Sequence, residues 1–171
     1  SMGTINAIMV RVSTNDAQPY YSAQQLHDLH FVTPTEEEKN RLPYMGATLQ
    51  SQMWDCSMGQ LRIAPTKYGV LDVNLGNVNM NGMNPNALVS LAYAKALSYL
   101  DADDQKSVSD IRELAHLVMF VLPPGTSHGG WTAYGTIAGK QSTYNDQWVG
   151  GISALMHEGG HNLGIRHAQH N

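Results

Sequence analysis

A chain of 171 residues is long enough for one domain with a sizeable buried core, so neither a disulfide nor a metal is required simply to hold it folded. Ten basic residues against fourteen acidic ones leave a net charge of −4, and no run of one sign is longer than Glu36, Glu37 and Glu38, which excludes the basic footprint of a nucleic-acid or anionic-membrane binder. No apolar run reaches the length of a membrane span, and the low charged fraction, 14%, suits an extracellular surface.

Ser1 and Met2 read as a cloning scar, so the first residues do not show the natural N-terminus, or any targeting or pro-segment before it, and localisation is not readable from them. Asn6 to Val12 is short, apolar and β-branched, which predicts a buried strand. Ser22 offers an N-cap to a helix running to about His30. Pro34 to Asn40 is an acidic surface stretch, and a second helical pattern runs from about Tyr44 to Trp54. Cys56, the single cysteine, can form no internal disulfide and is expected to be a small buried hydrophobe. Gln60 to Pro65 and Gly69 to Leu75 read as two strands joined by a turn around Lys67 and Tyr68.

Asn84 and Pro85 begin a third helix as N-cap and first-turn proline, and Val89, Tyr93, Leu97 and Leu100 recur behind them at helical spacing. Ala115 to Leu122 is the strongest strand, stopped by Pro123, Pro124 and Gly125. A glycine-rich loop leads into a strand from Trp131 to Ala138, and a last helix spans about Val149 to Leu163. Strands and helices intermix around one sheet, so the class is mixed α and β, in a single domain.

Residues 157 to 167 carry the chemistry: H-E-G-G-H-N-L-G-I-R-H. His157 and His161, four apart, project from one helix face and can share a cation. Gly164 stands where the helix should stop, in position to take the left-handed conformation that turns the chain, so that His167 can return as third ligand. Three neutral imidazoles leave a zinc ion strongly Lewis acidic and its fourth position open to water. Glu158, beside the first ligand, is placed to accept a proton from water attacking a carbonyl. At about 100° per residue, Ile152, Leu155, Met156, Gly159 and Leu163 gather on the face opposite the histidines, and Gly159 points to a close helix-to-sheet approach.

This segment resembles the signature of the metzincin clan, H-E-x-x-H-x-x-G-x-x-H, at every fixed position. Together with C-S-M-G-Q-L at Cys56 to Leu61, the run from Leu155 to Ala168 is most similar to the gametolysin-like peptidases, first known from algal cell-wall lysis. The resemblance implies a twisted, mostly parallel sheet of about five strands with an antiparallel edge strand, flanked by helices, the active-site helix last. It also implies one catalytic Zn2+ held by His157, His161 and His167, and Glu158 as general base. An extended substrate would lie along the edge strand formed by Trp131, Thr132, Ala133, Tyr134 and Gly135. The expected partner is a polypeptide or glycoprotein substrate, with no nucleic acid and no membrane span, acted on by a secreted monomer.

The clan's methionine-containing turn follows the third histidine, whereas all nine methionines here precede it, so residues 1–171 are expected to be a catalytic domain lacking its C-terminal subdomain. A zinc-binding but non-hydrolytic module therefore stays open beside the endopeptidase. His27, Asp28 and His30 suggest a second metal site less well than an ordinary amphipathic surface helix. His128 sits in the loop before the edge strand, His116 belongs to the core strand, and His170 could compete for metal.

Overall fold

In the computed structural model, residues 3–35, 37, 46–126 and 130–167 are described. A five-stranded sheet in the order β2-β1-β3-β5-β4 is formed by β1 (Gly3–Ser13), β2 (Leu61–Asn74), β3 (Leu117–Leu122), β4 (Ala133–Gly135) and β5 (Gln141–Asn145). Every pairing is parallel except that of β4 with β5, so the sheet has the mostly parallel order with one antiparallel edge that the family resemblance implies.

Alternate residues of the two central strands feed two cores. Ile8, Val10, Val12, Val118, Phe120 and Leu122 pack with Leu88, Val89 and Ala92 of α3 (Pro85–Ala96) on one face. Ala7, Met9, Leu117, Met119 and Val121 pack on the other with α1 (Ala23–Phe31), α2 (Leu49–Cys56) and α5 (Ile152–Asn162). A short α4 (Ala102–Ser107) follows, tied to β2 where Tyr68 Oη donates to Asp104 Oδ2 at 2.6 Å. Covered on both sides, β3 is buried at every position, which explains its unbroken apolar run.

The helix starts follow cap chemistry. Ser22 and Gln25 form a capping box at α1, and Asn84 caps α3 with Pro85 in the first turn, both as expected. The second helix begins later than its pattern suggested, at Leu49, because Thr48 and Ser51 supply the capping box there. Tyr44 and most of the acidic stretch from 34 to 40 lie outside the described residues.

The two strands expected at 60–65 and 69–75 are one. Pro65 pairs with Ala7 and Val70 with Met9, so residues 66–69 bulge out opposite Ile8 while both halves keep running parallel to β1. Gly69 takes φ +56 in this bulge, and Lys67 Nζ bonds Asp101 Oδ2 at 2.6 Å and Asp104 Oδ2 at 2.9 Å, pinning it to α4. The strand expected from Trp131 to Ala138 shrinks to Ala133–Gly135, because the chain turns back where Thr136 N–H donates to Gln141 O at 2.9 Å. Before α5, Asp146–Gly150 is a tight 3-10 turn in place of the first helical turn expected there.

His116 precedes β3 and is exposed, its Nδ1 accepting from Asn6 N–H at 3.1 Å, so it is no part of the core. Cys56 is exposed as well, at the end of α2, with Gln52 Nε2 3.1 Å from its sulfur. No helix among the described residues is long and apolar enough to cross a membrane.

Candidate metal centre

Helix α5 packs through one face, as its periodicity requires. Leu155 is buried, and Ile152 and Met156 lie against the same core. Gly159 is buried too, but its neighbour is Met53 of α2: a Cβ there would stand 3.2 Å from Met53 Cε. The close approach is thus helix to helix, not helix to sheet. Leu163 falls off the packing face and is 48% exposed.

The helix ends as Gly164 allows. With φ +91, Gly164 lets its own N–H reach His161 O at 2.9 Å and Ile165 N–H reach Gly160 O at 2.9 Å, the paired bonds of a Schellman motif. The reversed chain carries His167 back to the helix. Its Nε2 stands 2.9 Å from His157 Nε2 and 3.0 Å from His161 Nε2.

Three ring nitrogens at this spacing converge on a common point, as ligands of one cation do. Around a tetrahedral zinc with bonds near 2.0–2.1 Å, ligand nitrogens stand about 3.3 Å apart, so an opening of a few tenths of an ångström would seat the ion. These three residues form the one group of three or more metal-ligating side chains among the described residues. One neighbour strengthens the fit: His161 Nδ1 is 2.8 Å from Ile165 O, and donating to that carbonyl commits the ring to the tautomer whose Nε2 lone pair faces the cluster. Position 165 is a variable one in the motif, and a backbone acceptor leaves no trace in sequence.

Glu158 is buried, 6% exposed, between α5 and β4. The contact is with Gly135: a Cβ there would lie 2.8 Å from Glu158 O and 3.1 Å from its Oε2. The carboxylate therefore lies over the edge strand, one residue along the helix from His157.

Of the five residues expected on the edge strand, Ala133, Tyr134 and Gly135 form β4, and Trp131 and Thr132 precede it. Thr132 O accepts from Asn145 N–H at 2.9 Å and Thr136 N–H donates inward to Gln141 O. The alternation of an antiparallel ladder then turns the backbone groups of Ala133 and Gly135 to the free edge. The aromatic side chains face the other way: Tyr134 Oη bonds Asn86 Oδ1 at 2.8 Å, beside the start of α3, and Trp131 packs on the α3 core. The edge beside Glu158 is thus a backbone edge, with Thr132 exposed at its start.

The remaining histidines do not converge. Helix α1 is amphipathic, as expected, with His30 fully buried on its inner face, and burial brings the His30 pKa down to about 4 despite the Leu26 and Val149 backbone groups near its ring. His27 lies 3.3 Å from the Asp28 carboxylate. His128 and His170 are outside the described residues.

The sequence profile of one family, described as Gametolysin peptidase M11, matches residues 33–171. A chain in a solved structure described as a chaperone-substrate complex is similar over 96% of this chain and 24% of its own length, at 15% identity and a TM-score of 0.42. This chain therefore spans about a quarter of that one. No curated protein matches at a significant level.

Proposed function

Since the chain belongs to the gametolysin peptidases, we propose that it is the catalytic part of a zinc-dependent endopeptidase in which His157, His161 and His167 hold the metal and Glu158 is the general base. The observation that carries this reading is the convergence of three Nε2 atoms at the Gly164 turn, with a buried carboxylate one residue from the first of them.

A zinc ion held there supplies Lewis-acid polarisation of a carbonyl and an acidified water. The chain's own groups do the rest. The backbone edge at Ala133 and Gly135 binds an extended polypeptide by strand addition, with selectivity left to side chains around it. Glu158, pinned over that edge, takes the proton from the attacking water and passes it to the departing amine. Packing of α5 through Leu155 and Gly159 keeps the ligand face fixed while it does so.

The substrate class is polypeptide or glycoprotein, and the enzyme works as a secreted monomer without nucleic acid. Glu158→Gln tests the reading, because the amide keeps the side chain's shape and loses its basicity. Bound zinc is expected to persist while hydrolysis of a fluorogenic polypeptide falls at least about 100-fold. Undiminished turnover would rule out Glu158 as the base. Zinc binding with no hydrolysis by the unaltered chain would favour a non-hydrolytic module instead.

A further inference from the structure

The β4–β5 hairpin is joined to the last turn of α5 by hydrogen bonds from one side chain that follows a ligand in the motif. Asn162 donates from Nδ2 to Thr136 O at 3.1 Å and to Gln141 O at 2.8 Å. Those two residues already pair with each other where the hairpin narrows, so the carboxamide sits on the hairpin's neck. Both partners are carbonyls, which only the NH2 end of the amide can face, so its orientation is determined by chemistry.

A backbone bond reinforces the junction. Ala138 N–H donates to His161 O at 2.8 Å, from a residue held at φ +53, a left-handed conformation that a side chain with a Cβ seldom adopts. The helix turn that carries His161 is thus tied to the hairpin at both its backbone and its next side chain.

Resting on the reading of α5 as the catalytic helix, we propose that Asn162 is a positioning residue that clamps the substrate-facing hairpin to α5. The clamp holds the free edge at Ala133 and Gly135 in fixed register with His157, Glu158 and His161. Its hydrogen bonds go to the hairpin and not to the imidazoles, so it acts through other residues. An asparagine that merely filled space would leave the exchange of the Thr136 and Ala138 amides unchanged when replaced by alanine.

The test compares Asn162→Ala and Asn162→Asp in the 171-residue chain. Aspartate keeps the shape but sets carboxylate oxygens against two carbonyls. Backbone hydrogen exchange is read first, without added metal: the Thr136 and Ala138 amides are expected to exchange at least about tenfold faster in both variants, while Met9 and Phe120 amides in the central strands hold their protection. Zinc-loaded protein is read second: kcat for a polypeptide substrate falls on the order of 100-fold in both variants, with KM changed less and zinc still bound. Val89→Ala, in the opposite core, is expected to lower the melting temperature without lowering kcat. Unchanged protection at Thr136 and Ala138 in both variants, or Asn162→Asp matching the unaltered chain, would overturn the clamp. Full turnover by Glu158→Gln would sink the catalytic reading alone, and the exchange measurement would still decide the clamp.

Discussion

Gly135→Ala puts the smallest possible wedge between the edge strand β4 and helix α5. The added methyl would stand 2.8 Å from Glu158 O and 3.3 Å from its Cα, where ordinary contact begins near 3.4 Å, so the elements must part by about half an ångström. Overpacking of this kind costs about 1–3 kcal/mol. Gly135 does not hold a left-handed φ, so the loss of unfolded-state freedom returns about 0.4–1 kcal/mol, leaving a net loss of up to about 2.5 kcal/mol. Since an ångström of misplacement costs about 100-fold, half of one is expected to lower kcat about tenfold. Urea unfolding and hydrolysis of a polypeptide substrate measure the two effects. Gly130→Ala is the control, because a methyl there meets nothing within 4 Å among the described residues. If Gly135→Ala matched Gly130→Ala in both stability and kcat, the close packing of Glu158 on β4 would be refuted.

Two further outcomes test how the rest of the fold is held. Burial lowers the His30 pKa from 6.5 to about 4, so the unfolded chain binds a proton that the folded chain refuses; stability is full above pH 6.5 and falls as pH drops towards 4, by up to about 3 kcal/mol. His30→Gln is expected to remove that part of the slope in urea midpoints measured from pH 7 to 4, and an unchanged slope would contradict it. Arg11 is buried in β1, where its guanidinium bonds Asp72 Oδ1 at 2.8 Å, Tyr21 O at 2.8 Å and Pro19 O at 3.2 Å. Arg11→Met removes these donors, and because Asp72 is half exposed to water the loss falls mainly on the buried Pro19 carbonyl, so about 1–3 kcal/mol is expected in urea unfolding; a loss below about 0.5 kcal/mol would show that the network contributes little.

What the sequence made legible is what local chemistry dictates. The caps at Ser22 and Asn84, the apolar run of β3 and the two-faced wheel of α5 each carry a period or a residue type that admits few readings. Gly164 belongs with them, since the left-handed turn it takes is the one its position demanded. The misses are tertiary. Strand β5 reads Q-S-T-Y-N, with no apolar alternation, and is buried because β3 and β4 flank it and α5 covers it. The bulge in β2 imitates a turn because Gly69 breaks the pattern, while pairing to β1 on both sides keeps one strand. Around the candidate metal centre, the three histidines that the fold brings together were readable by spacing. The Ile165 carbonyl behind His161 and the Asn162 bonds to the hairpin were not, because their partners are backbone groups brought there by the fold.

The central claim is that His157, His161 and His167 make one zinc site. Metal analysis of the dialysed protein is expected to find about one zinc per chain, lost from His157→Ala, His161→Ala and His167→Ala alike. Zinc retained at the same ratio when all three histidines are replaced would contradict it.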